Sequence, residues 1–142
     1  MKIETVRLHF STDDGASLSD VTADVNAFVR DSAFQGGLCI LTVPGDGCCL
    51  TLAPDLDEDM DDLLRIVRTH LAAPSAEAAA VEESRDRLDV DDSGYPAGGV
   101  VADTITLTIR DGAMNLGSWD GVILLDARGP RVCPVDVTLM GL

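Results

Sequence analysis

The residues of this chain whose types and spacing could do chemistry are mostly oxygen and sulfur ligands. Asp55, Asp57 and Asp59 have the opening carboxylate spacing of a calcium loop. The sixth position of that register is Met60, where the turn needs glycine, and the twelfth is Ile66, where a bidentate glutamate belongs, so the calcium reading fails. Asp89, Asp91, Ser93 and Gly94 come closer, with three oxygen donors and the glycine in place. Val100 stands at their twelfth position and no helix pattern flanks them, which makes this an acidic loop. For a nucleophile with a histidine base the supply is thin. His9 falls on an expected strand and His70 near an expected helix C-terminus, and neither neighbours a candidate serine or cysteine in sequence.

Four cysteines occur, Cys39, Cys48, Cys49 and Cys133, and none forms a C-x-x-C pair. Their spacing supports neither a disulfide framework nor a zinc site, so they are expected to be core thiols. If Cys48 and Cys49 lie in one strand they point to opposite faces, and only one of them can face a pocket. Gly45-Asp46-Gly47 and Gly98-Gly99 lack the spacing and the Lys-Ser/Thr pair of a phosphate loop, and turn geometry accounts for them.

What must position these groups is bounded by composition. At 142 residues with 46% hydrophobic and 25% charged side chains, the chain reads as one domain, residues 1–142, with one core. No apolar run approaches the roughly 20 residues of a membrane-spanning helix. The start leads straight into an alternating strand pattern rather than an export signal, so a cytoplasmic location is expected. The net charge is -15, from 25 acids against 10 bases. A surface of that sign repels phosphate backbones and anionic lipid, which argues against nucleic-acid and membrane partners.

Along the chain, Lys2 to Thr12 alternates, with Val6, Leu8 and Phe10 on one face and Arg7, His9 and Ser11 on the other, the period of a half-buried strand. Asp13-Asp14-Gly15 signals a turn, and Ser19 or Asp20 can cap a helix carrying Val21, Val25, Phe28 and Val29 that ends before Gly36-Gly37. Leu38 to Val43 and Cys48 to Ala53 are apolar runs of strand length joined by a Gly-rich connection, a pattern that suggests a hairpin. Leu56, Met60, Leu63, Val67 and Leu71 form one helical stripe, with acids at its start and Arg65, Arg68 and His70 towards its end. Ala76 to Asp86 suggests a weak alanine-rich helix, and Asp89 to Gly99 a long loop. Strands are expected at Thr104–Ile109, Gly121–Asp126 and Val132–Met140, with a turn at Asp111-Gly112. The order predicts an α+β fold: a mixed, largely antiparallel β-sheet or sandwich with two main helices.

Leu116-Gly-Ser-Trp119-Asp, then Gly129-Pro-Arg131 and a Val-rich strand ending at Gly141, resembles the YjbQ-like family, also called the secondary thiamine-phosphate synthase family. Ser19-Asp20-Val21-Thr22, Gly37-Leu38-Cys39 and Val43-Pro44 resemble further family segments in the same order. The resemblance implies an α+β fold, a homotrimer and a metal pocket built on histidines. It places those three histidines at Gly45, Arg87 and Tyr95, the accompanying asparagine at Asp91, and a glutamate at Pro54. Glycine has no side-chain donor and arginine carries a fixed positive charge, so this set cannot replace a His-rich shell.

The expected protein is therefore a divergent, metal-free homotrimer with a binding or structural role, without a cofactor and with an unassigned small-molecule ligand. Its remodelled pocket would draw on Gly45, Cys48, Arg87, Tyr95, Trp119 and Arg131. The alternative is an enzyme with thiamine-phosphate-synthase-like or other small phosphorylated-ligand chemistry. There Arg87 or Arg131 would hold a phosphate where a metal once did, with Tyr95 as a polar or acid group. The plainer role for Arg131 is a fold-stabilising ion pair or hydrogen bond.

Overall fold

The computed structural model describes residues 1–44, 47–53, 65 and 101–141. Strand β1 (Lys2–Ser11) has the expected alternation, Val6, Leu8 and Phe10 facing the core. On its outward face Arg7 holds Asp136 through two hydrogen bonds of 2.6 and 2.9 Å. A strand that periodicity does not announce follows, β2 (Gly15–Asp20). Helix α1 (Thr22–Asp31) comes next, with Asp24 in its first turn and Arg30 in its last, each on the side the helix dipole favours. Val21 is the N-cap and provides no side-chain bond, while the Asp20 carboxylate accepts the Thr22 N–H at 3.0 Å. Ala33, with φ of 61°, turns the chain out of the helix.

The remaining strands are β3 (Gly36–Thr42), β4 (Cys48–Ala53), β5 (Val101–Ala102), β6 (Thr104–Arg110), β7 (Ala113–Met114), β8 (Gly121–Gly129) and β9 (Val132–Gly141). Asp111 and Gly112 both have positive φ and join β6 to β7 as a two-residue hairpin loop, the conformation that favours Asp-Gly.

Two antiparallel sheets result, one in the order β1-β9-β3-β6-β7 and the other β2-β8-β4-β5. The hairpin suggested for the two apolar runs does not form. β3 pairs with β6 and β9, whereas β4 pairs with β5 and β8, so the two consecutive strands belong to different sheets. Leu41, Val135, Val137 and Leu139 from the first sheet pack with Leu50, Val122 and Leu124 from the second, and Val21, Val25 and Val29 join them as a stripe at helical spacing. Cys49, Ala53, Ile123, Leu125 and Ala127 form a second buried cluster. β4 and the first seven residues of β8 are thus buried on both faces, as their continuous apolar composition requires.

The fold is α+β, as expected. Among the described residues α1 is the one whole helix. The second main helix was expected over residues outside that set, save Arg65, which is helical; the weak helix from Ala76 and the acidic loop from Asp89 lie wholly outside it. No helix among the described residues is long and apolar enough to cross a membrane.

Thr22 fastens α1 to the second sheet. Its hydroxyl accepts the Val122 N–H at 2.9 Å and reaches the Val122 carbonyl at 3.4 Å. Thr22→Val keeps the shape and orphans that N–H, so urea denaturation should show a loss of about 1–2 kcal/mol. An unchanged midpoint would mean that the hydroxyl is dispensable.

Candidate functional site

Asp126 is an acid in a run of buried apolar residues and is itself 0% exposed. Such a group survives in a core only if its charge is paired and its oxygens are hydrogen-bonded. β8 ends at Gly129, the chain crosses through the cis Gly129–Pro130 bond, and β9 begins in the other sheet, so Arg131 sits at the crossover. From there its Nη2 and Nε donate to Asp126 Oδ1 at 2.7 and 3.1 Å. The Arg128 N–H donates to the same oxygen at 3.0 Å, and the Thr12 hydroxyl donates to Oδ2 at 2.5 Å. Thr12 also ties the crossover down, since its backbone N–H donates to the Arg131 carbonyl at 2.9 Å. Its hydroxyl accepts the Arg131 N–H at 3.1 Å. Burial alone raises the Asp126 carboxyl, but the hydrogen bonds from Arg131, Thr12 and Arg128, with the charge of Arg131, outweigh it and hold the group below the ordinary carboxylate value.

Two sulfurs adjoin this pair. Cys48 on β4 and Cys133 on β9 are paired sulfur to sulfur across the sheets, which corrects the expectation of four separate core thiols. Burial is right for all four, and Cys39 and Cys49 are free. Burial pushes both of those thiols up to about 12, helped at Cys49 by the charge of Asp103. Ligand atoms of Cys48, Asp126 and Cys133 all lie within 4.8 Å of one another. Two thiolates and a carboxylate are donors that zinc accepts. Here, however, three hydrogen bonds converge on Oδ1 and one on Oδ2, and an arginine already meets the carboxylate's charge. Ser17 is paired with Asp126 across β2 and β8, and among the described residues its buried hydroxyl has no hydrogen-bond partner.

Of the six candidate pocket residues, Cys48 and Arg131 come together around Asp126. Arg131 packs so closely on Gly47 that a Cβ there would stand 2.6 Å from Nη2. Trp119 lies at the other end of the second sheet. Its backbone N–H bonds the Leu116 carbonyl, and the next residue, Asp120, donates to Ala53. Cys48 to Ala53 runs the length of β4, so about 17 Å separates the two ends. Gly45, Arg87 and Tyr95 lie outside the described residues. Thr12 and Asp126 were not singled out from sequence. The available signal was an acid inside an apolar strand, five residues before an arginine across a Gly-Pro turn.

The family model described as UPF0047 protein YjbQ-like matches residues 6–142. UPF0047 protein YugU of Bacillus subtilis (strain 168) is 22% identical over 136 residues, covering 94% of this chain and 97% of its own. A YbjQ-like protein of unknown function from Sulfolobus solfataricus P2 shares the fold with a TM-score of 0.71 at 20% identity, over 99% of both chains. A conserved hypothetical protein from Thermus thermophilus gives 0.64 at 27% identity, over 95% of this chain and 99% of that one. Matched along nearly its whole length in sequence and in fold, the chain belongs to the YjbQ-like UPF0047 family.

Proposed function

We propose that this protein is a metal-free homotrimer that acts by binding or as a structural component, a divergent member of its family. The observation that carries the reading is the donor set at the positions where the family resemblance calls for histidine: Gly45, Arg87 and Tyr95. One has no donor, one is a fixed cation and one is a phenol that ionises near pH 10, so together they do not fit a divalent transition metal. Arg131, the other candidate for replacing metal charge, directs Nε and Nη2 at Asp126. That commitment leaves the phosphate-handling alternative resting on Arg87.

Self-association is supported by the outward face of the first sheet. Ile3, Met140 and Leu38 share one cross-strand row there, with Ile3 59% and Leu38 40% exposed. A neighbouring copy is the occupant that an apolar row on so acidic a protein best fits. Sedimentation equilibrium of untagged protein should give the mass of three chains, and elemental analysis of the same sample less than a tenth of an equivalent of transition metal. A monomer would remove the trimer from the proposal, and one metal per chain would overturn the metal-free reading.

A further inference from the structure

We propose that Cys48 and Cys133 form a reversible redox site, a dithiol that a peroxide closes to a disulfide between the two sheets and a small thiol reopens. Three observations converge. The two sulfurs are paired although the residues are 85 positions apart and belong to different sheets. Among the described residues the surroundings do not suit a cation: the Asp126 charge is already met by Arg131 and its oxygens accept from Arg128 and Thr12, and the cluster has three ligand residues, short of the four ligands of a structural zinc. The other two cysteines are not placed to compete: both are free, and Cys49, next to Cys48 on the same strand, points to the opposite face and packs in the second buried cluster.

The more accessible sulfur belongs to Cys48, which is 6% exposed against 1% for Cys133 and follows half-buried Gly47. Cys48 therefore meets the oxidant. Its thiolate attacks one peroxide oxygen and breaks the O–O bond, giving a sulfenic acid, and the departing hydroxide takes up the proton that the thiol released and leaves as water. The Cys133 sulfur then attacks the Cys48 sulfur, displacing a second water as the S–S bond forms. Two thiols lose two electrons and two protons, and one hydrogen peroxide becomes two waters. Dithiothreitol reverses the step and leaves as its own cyclic disulfide.

The test uses the full chain. Samples treated with hydrogen peroxide or dithiothreitol are freed of reagent, unfolded, alkylated with N-ethylmaleimide and weighed intact. Two labels are expected after peroxide, on Cys39 and Cys49, and four after reductant, with the same counts through a second cycle. Peptide mapping should recover Cys48 linked to Cys133. The oxidised form should melt about 10 °C above the reduced form, because the crosslink restricts the unfolded chain. Four labels after peroxide, a link through Cys39 or Cys49, or two labels persisting after dithiothreitol would each overturn the proposal. So would a stoichiometric metal on the reduced protein that Cys133→Ser removes.

Discussion

Arg131→Ala should destabilise the protein by about 3–5 kcal/mol, because it strands a charged carboxylate that has no access to water. The partners are unequal: the Asp126 side chain is 1% exposed and that of Arg131 33%. Asp126→Asn, by contrast, leaves an arginine that can turn to solvent and an amide that keeps part of the hydrogen-bond set, so it should cost less, about 2 kcal/mol. The pH dependence separates this account from a simple loss of packing. In the native protein the folded Asp126 carboxyl lies below its unfolded value of about 4. Its contribution is therefore complete above pH 4 and is lost as the pH falls through the folded value. Without Arg131, desolvation is opposed only by Thr12 and the Arg128 N–H, and the folded carboxyl should rise above its unfolded value. The sign then reverses, and Arg131→Ala should regain stability between pH 7 and pH 5 while the native protein holds level from this group. Urea denaturation at the two pH values measures both slopes. A variant that loses less than 1 kcal/mol at pH 7, or that gains no stability between pH 7 and pH 5, would show that the pair is not what holds the crossover.

Much of the fold is written locally. The alternation of Val6, Leu8 and Phe10 specifies β1, Asp111-Gly112 specifies its turn, and Val21, Val25 and Val29 specify the buried face of α1. What sequence did not disclose is which strand lies beside which. β3 and β4 are apolar on both faces, so their periodicity contains no record of partner or sheet, and a short Gly-rich connection fits a hairpin and a crossing between sheets equally well. β2 escapes for the opposite reason. Ala16 to Ser19 mixes small and polar residues, and the segment is a strand because β8 offers it a ladder.

The site divides in the same way. Arg131 announced a structural ion pair, but its partner lies in a strand that otherwise reads as pure core. Four cysteines allow six different single pairs, and only the packing of β4 against β9 selects Cys48 with Cys133. The motif around Trp119 and the motif at Arg131 are neighbours in sequence, yet β8 holds them at its opposite ends. Their joint occurrence identifies the scaffold rather than one pocket.

Gly37→Ala should be the most damaging single-methyl addition at the β3–β9 seam, while the same change one residue earlier should be harmless. Gly37 has φ of +125°, a conformation that L side chains rarely adopt, and a Cβ there would stand 2.1 Å from the Met140 carbonyl oxygen and 3.0 Å from the Gly141 Cα. Both obstacles are backbone, so no rotamer change relieves them. Strain of this kind costs about 1–3 kcal/mol and overpacking a further 1–3 kcal/mol, which puts Gly37→Ala at about 3 kcal/mol or more. At Gly36 the nearest atom to an added Cβ is the Ile109 carbonyl oxygen at 3.9 Å, an ordinary contact. Gly36→Ala also reduces the freedom of the unfolded chain, so it should be neutral or stabilising by a few tenths of a kcal/mol. For a chain of this size the difference amounts to about 6–12 °C in Tm, readable by calorimetry on the two variants side by side. Equal melting temperatures would mean that β9 moves aside at little cost. If the difference appears, the glycine of the Gly37-Leu38-Cys39 segment is explained by the approach of a neighbouring strand's backbone, with no ligand required.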